Sequence, residues 1–199
     1  NKARAIFVRD RASFEVLKKW GISSYLISDF AYYYPHSDAK IEDGEKYIVL
    51  SLRPSKNLNQ NLYKKIAQAC DRIVAEYGLN IRLIPFQSGA ENDAMALNNI
   101  FDLVESKSSV KIEPYYEDIS DVVRLIQNAE LVIAMRLHAG ILSALTQTPF
   151  IPLVYMSKVS GLWGEFPEIK PVPLTEDGFS MLFDHFDDMW KNQRRHREI

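Results

Sequence analysis

The chain has 199 residues, of which 47% are hydrophobic and 25% are charged, and its formal net charge is −2. This composition is typical of a globular domain that buries a core, and it gives no reason to expect nucleic-acid binding. No apolar run approaches the roughly 18 residues of a membrane-spanning helix. Cys70 is the single cysteine, so an intramolecular disulfide is excluded and a cytoplasmic location is expected.

The N-terminal part of the chain is predicted to be one βαβ unit, at residues 1–29. It has a strand at 3–8, a helix at 11–20 that Gly21 closes, and a second strand that ends near Ser28. The following segment, 30–45, is polar and contains proline and aspartate. Such a composition predicts an interdomain connection.

From residue 46 to residue 199, apolar strands alternate with longer amphipathic segments. This alternation predicts an α/β fold, a Rossmann-like parallel sheet with helices on both faces. Strands are predicted at 46–52, 81–85, 110–112, 131–135 and 150–154, and helices at 59–77, 90–104, 119–128, 139–147 and 175–193.

The stretch from 131 to 158 contains the most informative side chains. Arg136 and His138 stand where a buried strand turns into a helix, and the N-terminus of a helix attracts phosphate or carboxylate groups. The next strand is followed by Tyr155 and Lys158. Ligands of open α/β sheets bind at the carboxyl ends of the strands. We therefore expect Arg136, His138 and Lys158 to converge at that edge of the sheet.

Other strand ends supply further candidates. Arg53 follows the strand 46–52, and it either binds a ligand at the same edge or is a surface residue that starts a loop. Gln87 is a candidate contact for a sugar hydroxyl, while Asp93 is expected to be a helix N-terminal charge. Arg9 closes the first strand, where it either reaches a ligand or remains a surface residue. Asp10 is expected to cap the helix that follows.

Several motifs resemble the polysaccharide pyruvyl transferase family, most closely its bacterial cell-wall branch. The most specific is RLH at 136–138, followed by TPFIPLVY at 148–155 and by Lys158, twenty residues after the histidine. Similar matches occur in the same order at VRDRAS (8–13), SLRP (51–54), IPFQ (84–87) and Asp93. The resemblance implies transfer of pyruvate from phosphoenolpyruvate to a sugar as a ketal. It also implies a two-domain GT-B-like fold with a cleft between the domains, and no cofactor.

The chain departs from the family pattern in two respects. Residues 29–32 read Asp-Phe-Ala-Tyr where the family has Asp-Pro-Ala-Phe. A length of 199 residues is also about half of what two such domains require. The chain is therefore expected to be a fragment: residues 1–29 are the last βαβ unit of an N-terminal domain, and residues 46–199 are the C-terminal Rossmann-like domain.

The resemblance also implies roles for the candidate residues. His138 would be the general acid, and Arg136 and Lys158 would hold the phosphate and carboxylate of the donor. The residues expected to contact substrate as well are Arg53, Arg9, Tyr155 and Gln87. The acceptor would be a sugar of a cell-wall or capsule precursor.

Three alternatives remain open at this stage. The same features would suit a GT-B glycosyltransferase with a nucleotide-sugar donor, or a non-catalytic sugar-binding domain.

The basic tail 191–197 is either a solvated helix end or a contact for anionic lipid headgroups. Such a contact would suit a lipid-linked acceptor and a location at the inner face of the membrane. No metal site is expected, because the histidines are too scattered to share a metal ion: His36, His138, His185 and His196.

Overall fold

The structure is a computed structural model that describes residues 3–36, 44–89, 92–155, 163 and 169–197, without the side chains of 180 and 193–197. The chain divides into two compact units, Asn1–Pro35 and His36–Ile199. The boundary falls inside the segment predicted as an interdomain connection. The assignment of the two units to the domains of a larger enzyme stays a prediction.

The first unit is a small βαβ arrangement. Strands β1 (Phe7–Val8) and β2 (Tyr25–Leu26) pair in parallel, and helix α1 (Arg11–Lys19) connects them. The carboxylate of Asp10 accepts a hydrogen bond from the backbone N–H of Ser13 at 2.8 Å, which confirms the predicted N-cap. A 3-10 helix, Phe30–Tyr33, follows β2.

The second unit alternates strands and helices, as predicted. Its strands are β3 (Tyr47–Ser51), β4 (Asn80–Leu83), β5 (Val110–Ile112), β6 (Leu131–Ala134), β7 (Phe150–Val154) and β8 (Val172–Pro173). Its helices are α2 (Gln60–Tyr77), α3 (Ala94–Leu103), α4 (Ile119–Gln127), α5 (Leu137–Leu145) and α6 (Glu176–Arg197), with a 3-10 turn at Lys107–Ser109.

The strands of the second unit form one parallel sheet in the order β5-β4-β3-β6-β7-β8. This confirms the predicted Rossmann-like α/β fold. The chain moves outward from β3 in one direction as far as β5 and then returns to β6 on the other side of β3. The strand order therefore reverses between β3 and β6, and the crevice outside the carboxyl ends of these two strands is where folds of this kind bind ligands.

Helices cover both faces of the sheet. The side chains of Ile48, Leu50 and Leu52 enter the core that contains α2, α3 and α6, and they are at most 1% exposed. The alternate residues of the strand, such as Val49, face the opposite side. Helix α2 packs against α3 and α6, whereas α4 packs against α5, which itself packs on β6 and β7. Burial of each large aliphatic side chain stabilises the fold by about 1.5–3 kcal/mol.

Two elements differ from the sequence prediction, and the first of them matters for the site. Helix α5 begins at Leu137, two residues before the predicted start, because the backbone of Arg136 is extended (φ −78°, ψ 128°) and takes the N-cap position. His138 therefore lies inside the first turn of the helix. Strand β8 was not predicted, since two residues that include a proline show no strand pattern.

Candidate functional site

The carboxyl ends of four neighbouring strands bring the candidate side chains to one edge of the sheet. Gln87 follows β4, Arg53 follows β3, Arg136 follows β6 and Tyr155 follows β7. Strands of a parallel sheet run in the same direction, so the segments after them emerge at the same edge. The reversal of strand order between β3 and β6 lies at the centre of this group.

Arg136 is held by two residues of the segment after β4. Its Nε donates to Asp93 Oδ2 at 3.0 Å, and its Nη2 donates to Gln87 Oε1 at 2.9 Å and also to Asp93 Oδ1. The side chain of Arg136 is 14% exposed, and that of Asp93 is fully buried. The structure thus brings Arg136 and Gln87 together at the predicted edge. The oxygen of the Gln87 amide accepts from Arg136, and the Nε2 group is the donor of this side chain.

Asp93 makes contacts that its sequence position does not indicate. It stands at the N-cap of α3, yet its carboxylate makes no capping hydrogen bond to that helix. Its Oδ2 instead accepts from the backbone N–H groups of Phe86 at 2.9 Å and Gln87 at 3.1 Å. Asp93 thus stands at the N-terminus of α3, as expected, but its carboxylate binds Arg136 and the preceding loop instead of capping the helix.

Arg53 and Tyr155 form a second pair at the same edge. Nη1 of Arg53 donates to the Tyr155 hydroxyl at 3.2 Å, and the guanidinium carbon lies 5.6 Å from the centre of the tyrosine ring. The Tyr155 carbonyl accepts from Nδ2 of Asn57 at 3.0 Å. A cation at this distance from an aromatic ring is attracted to its face. Arg53 is therefore oriented by Tyr155.

His138 lies at the positive end of α5. It is the second residue of the helix, its side chain is exposed, and no acidic residue occupies the first turn. The carbonyl of Arg136 accepts from the N–H groups of Ala139 and Gly140, at 3.1 and 3.4 Å. The N–H groups at the very start of a helix have no partner within it, and with the helix dipole they favour a bound anion. His138 thus lies at the helix N-terminus, as its place in the sequence indicated.

Ser51 is a candidate functional residue that was not singled out from the sequence. It ends β3, is fully buried, and its hydroxyl makes no hydrogen bond to any residue that the structure describes. In the sheet it is paired with Ala134 of β6, so it lies at the reversal of strand order. The signal in the sequence was a serine that interrupts an apolar strand two residues before Arg53.

Two predicted residues, Arg9 and Lys158, are not among the residues of this group. Arg9 belongs to the first unit, where it forms an ion pair with Asp29, and its side chain is 47% exposed. Asp29 also accepts from the N–H of Ala31 at 3.0 Å. Lys158 lies outside the described residues.

Two negative observations apply to the described part of the chain. Among those residues, no group of three or more His, Cys, Asp or Glu side chains could hold a metal ion. None of the helices described there combines the length and the apolar character needed to cross a bilayer.

Most of the chain, including the residues of this site, matches a known protein family. The model for "Polysaccharide pyruvyl transferase" matches residues 1–157. The chain belongs to this family. The match includes the Arg136–Asp93 pair, the Arg53–Tyr155 pair and His138, and it confirms the resemblance that the RLH motif indicated. Among curated protein sequences, none matches the chain significantly.

The fold is shared with enzymes of sugar-nucleotide chemistry. The MnaA–UDP structure from S. aureus has a TM-score of 0.69 and 12% identity, over 94% of this chain and 52% of that one. The UDP-GlcNAc 2-epimerase of Methanocaldococcus jannaschii, with UDP-GlcNAc and UDP, has a TM-score of 0.67 and 18% identity, over 94% and 54%. E. coli heptosyltransferase WaaC with ADP has a TM-score of 0.51 and 15% identity, over 95% and 60%.

These similarities confirm the predicted GT-B-like α/β fold. The identities are too low to indicate more than the fold. The pyruvyl transferase chain spans about half the length of the first two structures.

Proposed function

We propose that the protein transfers pyruvate from phosphoenolpyruvate to a sugar of a cell-wall or capsular polysaccharide precursor and forms a pyruvate ketal. The observation that carries the proposal is the convergence of two arginines, Arg136 and Arg53, on the strand ends beside the N-terminus of α5, in a chain of the polysaccharide pyruvyl transferase family. No cofactor is needed, since phosphoenolpyruvate itself supplies both the pyruvyl group and the leaving phosphate.

Phosphoenolpyruvate carries a phosphate and a carboxylate, so its site requires several cationic groups. Arg136 and Arg53 are each oriented by a neighbouring side chain before a ligand arrives, and the helix N-terminus adds a partial positive charge. Such prepositioned charges stabilise the phosphate as it leaves. Lys158 supplies a further cation in the same role.

The proposed chemistry begins with protonation of the methylene carbon of the donor by His138. Positive charge then develops at the carbon that bears the phosphate, and a sugar hydroxyl adds there. A second hydroxyl of the same sugar displaces the phosphate and closes the ketal. One hydroxyl proton restores the acid form of His138, and the other leaves with the phosphate. The exposed position of His138 in α5 leaves it accessible to a donor that approaches the helix N-terminus.

Tyr155, Gln87 and Arg9 complete the proposed substrate contacts. Tyr155 orients Arg53, and the Nε2 group of Gln87 donates to the donor or to the sugar. Arg9, in the first unit, is a further candidate for contact with substrate. The acceptor is carried on a lipid at the cytoplasmic face of the membrane, and the basic segment 191–197 supports this location through attraction to anionic headgroups.

The experiment that tests the proposal measures phosphate release and pyruvyl incorporation by the whole protein. Phosphoenolpyruvate is supplied with a panel of cell-wall and capsule precursor sugars, and UDP-sugars are supplied in parallel as donors. Phosphate release that depends on an acceptor, with a ketal in the product, is the expected result. Transfer from a UDP-sugar with no reaction of phosphoenolpyruvate would instead identify a glycosyltransferase. Sugar binding without either reaction would identify a non-catalytic domain.

A further inference from the structure

We infer that Asp93 is a positioning residue for this reaction: its carboxylate fixes the guanidinium of Arg136 so that the Nη1 group is the part presented to the anionic donor. The inference rests on the proposed function for the identity of that donor. The orientation of Arg136 itself is a property of the fold.

Three of the N–H groups of the Arg136 guanidinium donate hydrogen bonds within the protein. A guanidinium has five N–H donors. The Nε–H goes to Asp93 Oδ2, and the two N–H groups of Nη2 go to Asp93 Oδ1 and Gln87 Oε1. No described residue accepts a hydrogen bond from Nη1 of Arg136, which leaves its two N–H groups for a ligand. The edge of the guanidinium formed by Nε and Nη2 therefore binds the carboxylate of Asp93.

Asp93 is itself held in place. It is fully buried, and its Oδ2 accepts from the backbone N–H groups of Phe86 and Gln87 at 2.9 and 3.1 Å. These two bonds tie the carboxylate to the segment after β4, while Arg136 belongs to the segment after β6. Strand β3 lies between those two strands in the sheet. Asp93 thus joins the segments on either side of β3 and holds Arg136 in one rotamer before the donor binds.

A simpler role would be charge compensation alone. A buried carboxylate next to an anion site repels the anion, so a mere counter-ion would weaken donor binding, and its neutralisation would strengthen it. A positioning residue has the opposite effect, because its loss frees Arg136 to adopt unproductive orientations. Neutralisation of Asp93 therefore distinguishes the two roles by the sign of the change in donor affinity.

The variant that makes this distinction is Asp93→Asn. Its amide oxygen can still accept from Phe86 and Gln87, so the loop after β4 keeps its backbone hydrogen bonds. Its NH₂ group would take the place of Oδ1, opposite Nη2 of Arg136. Since both groups are donors, the hydrogen bond between them would be lost. Asp118→Asn is the matched control, because it removes one negative charge at the exposed N-cap of α4, where asparagine also caps well.

The first measurement is the affinity for phosphoenolpyruvate by titration calorimetry, together with the kinetic constants, on the whole protein. Asp93→Asn should raise Kd at least ~10-fold, the loss expected for a charge-assisted hydrogen bond, and should lower kcat as well. Asp118→Asn should change neither. In an Arg136→Lys background, Asp93→Asn should raise Kd less than ~2-fold, since Asp93 acts through Arg136.

The second measurement does not depend on the donor. The Arg136 Nη2 protons, identified in NMR spectra by their loss in Arg136→Lys, should exchange with solvent at least ~10-fold faster in Asp93→Asn, because their acceptor Oδ1 becomes an NH₂ group. Unchanged or tighter phosphoenolpyruvate binding by Asp93→Asn, or an unchanged exchange rate, would overturn the inference. A wild-type protein that does not bind phosphoenolpyruvate would overturn the proposed function instead, and the exchange rate would still decide whether Asp93 positions Arg136.

Discussion

Arg53 and Tyr155 are 102 residues apart in the chain, yet the guanidinium of the first donates to the hydroxyl of the second at 3.2 Å. Arg53 follows β3 and Tyr155 follows β7, and β6 lies between these strands in the sheet. Arg136 makes a similar link from the end of β6 to Asp93, past β3. The ends of β3 and β6 are thus linked to the segments that follow β7 and β4. These links hold the loops around the point where the strand order reverses.

The Arg53–Tyr155 link predicts graded effects on donor binding. Arg53→Ala removes a cation and should raise the Kd for phosphoenolpyruvate at least ~10-fold, whereas Tyr155→Phe removes only the accepting hydroxyl and should raise it about 3- to 10-fold. Calorimetric titration of both variants measures the difference. Tyr115→Phe, at a residue that is 47% exposed, is the control and should bind as the wild type does. A larger effect of Tyr155→Phe than of Arg53→Ala would contradict the assignment.

The position of His138 in the first turn of α5 predicts a loss of turnover without a loss of stability. His138→Gln should lower kcat by about 100-fold or more, because a positioned general acid contributes about that much. Its side chain is exposed, so the thermal midpoint should stay within about 1 °C of the wild-type value. Steady-state kinetics and thermal melts on the same preparation check both statements. Near-wild-type turnover would exclude the acid role.

Lys158 remains a prediction from sequence spacing, since it lies outside the described residues. Lys158→Ala should raise the KM for phosphoenolpyruvate about 10-fold or more, because a lost cation weakens phosphate binding. The KM for the acceptor should be unchanged. The assignment would fail if the acceptor KM rose and the donor KM did not.

A buried carboxylate outside the candidate site, that of Glu113, predicts a pH dependence of stability. The Glu113 side chain is 1% exposed and accepts from Arg82 at 2.7 Å and from the Tyr116 hydroxyl at 2.9 Å, with Lys111 at 3.1 Å. Burial raises the pKa of Glu113, but the hydrogen bonds from Tyr116, Arg82 and Lys111 outweigh it and lower the pKa below the usual 4.5. Glu113 therefore stabilises the fold above about pH 4.5, and this contribution is lost as the pH falls through the folded-state pKa.

Glu113→Gln should accordingly reduce the free energy of unfolding by about 1–3 kcal/mol near pH 7. The difference from wild type should shrink as the pH falls well below 4.5, where the wild-type carboxylate also becomes neutral. Urea denaturation at neutral and acidic pH measures it. A difference that grows toward low pH would show that the sign is wrong.

Close packing behind α5 predicts a steric effect at Gly140. A Cβ at this position would lie 2.6 Å from Trp163 Cζ2 and 2.8 Å from Cη2, and Trp163 is only 2% exposed. Gly140→Ala should destabilise the protein by about 1–3 kcal/mol, since the ring has to move in a packed core. Urea denaturation measures the loss, and Trp163→Phe in the same background should recover part of it. Full stability of Gly140→Ala would contradict this packing.

Local patterns in the sequence were sufficient for the fold class and for several details. The alternation of apolar strands with amphipathic helices predicted the parallel sheet. The two kinds of element could be told apart because side chains repeat about every two residues in a strand and about every 3.6 residues in a helix. Asp10 was identified as a cap because an N-cap bonds to a residue three positions away. The RLH motif at 136–138 located the sheet edge because a strand end, a cation and a helix start are adjacent in the chain.

The sequence by itself therefore determined most of the elements, though not β8, and which residues follow each predicted strand. Only the tertiary structure decided which of those residues meet. Arg136 pairs with Asp93 across 43 residues and Arg53 with Tyr155 across 102, because the sheet places β6 beside β3 and β7 beside β6. That order depends on how the strands pair and how helices cover both faces, which is a property of the whole core. Local spacing could indicate Asp93 as a helix charge, but its buried link to Arg136 required the assembled sheet.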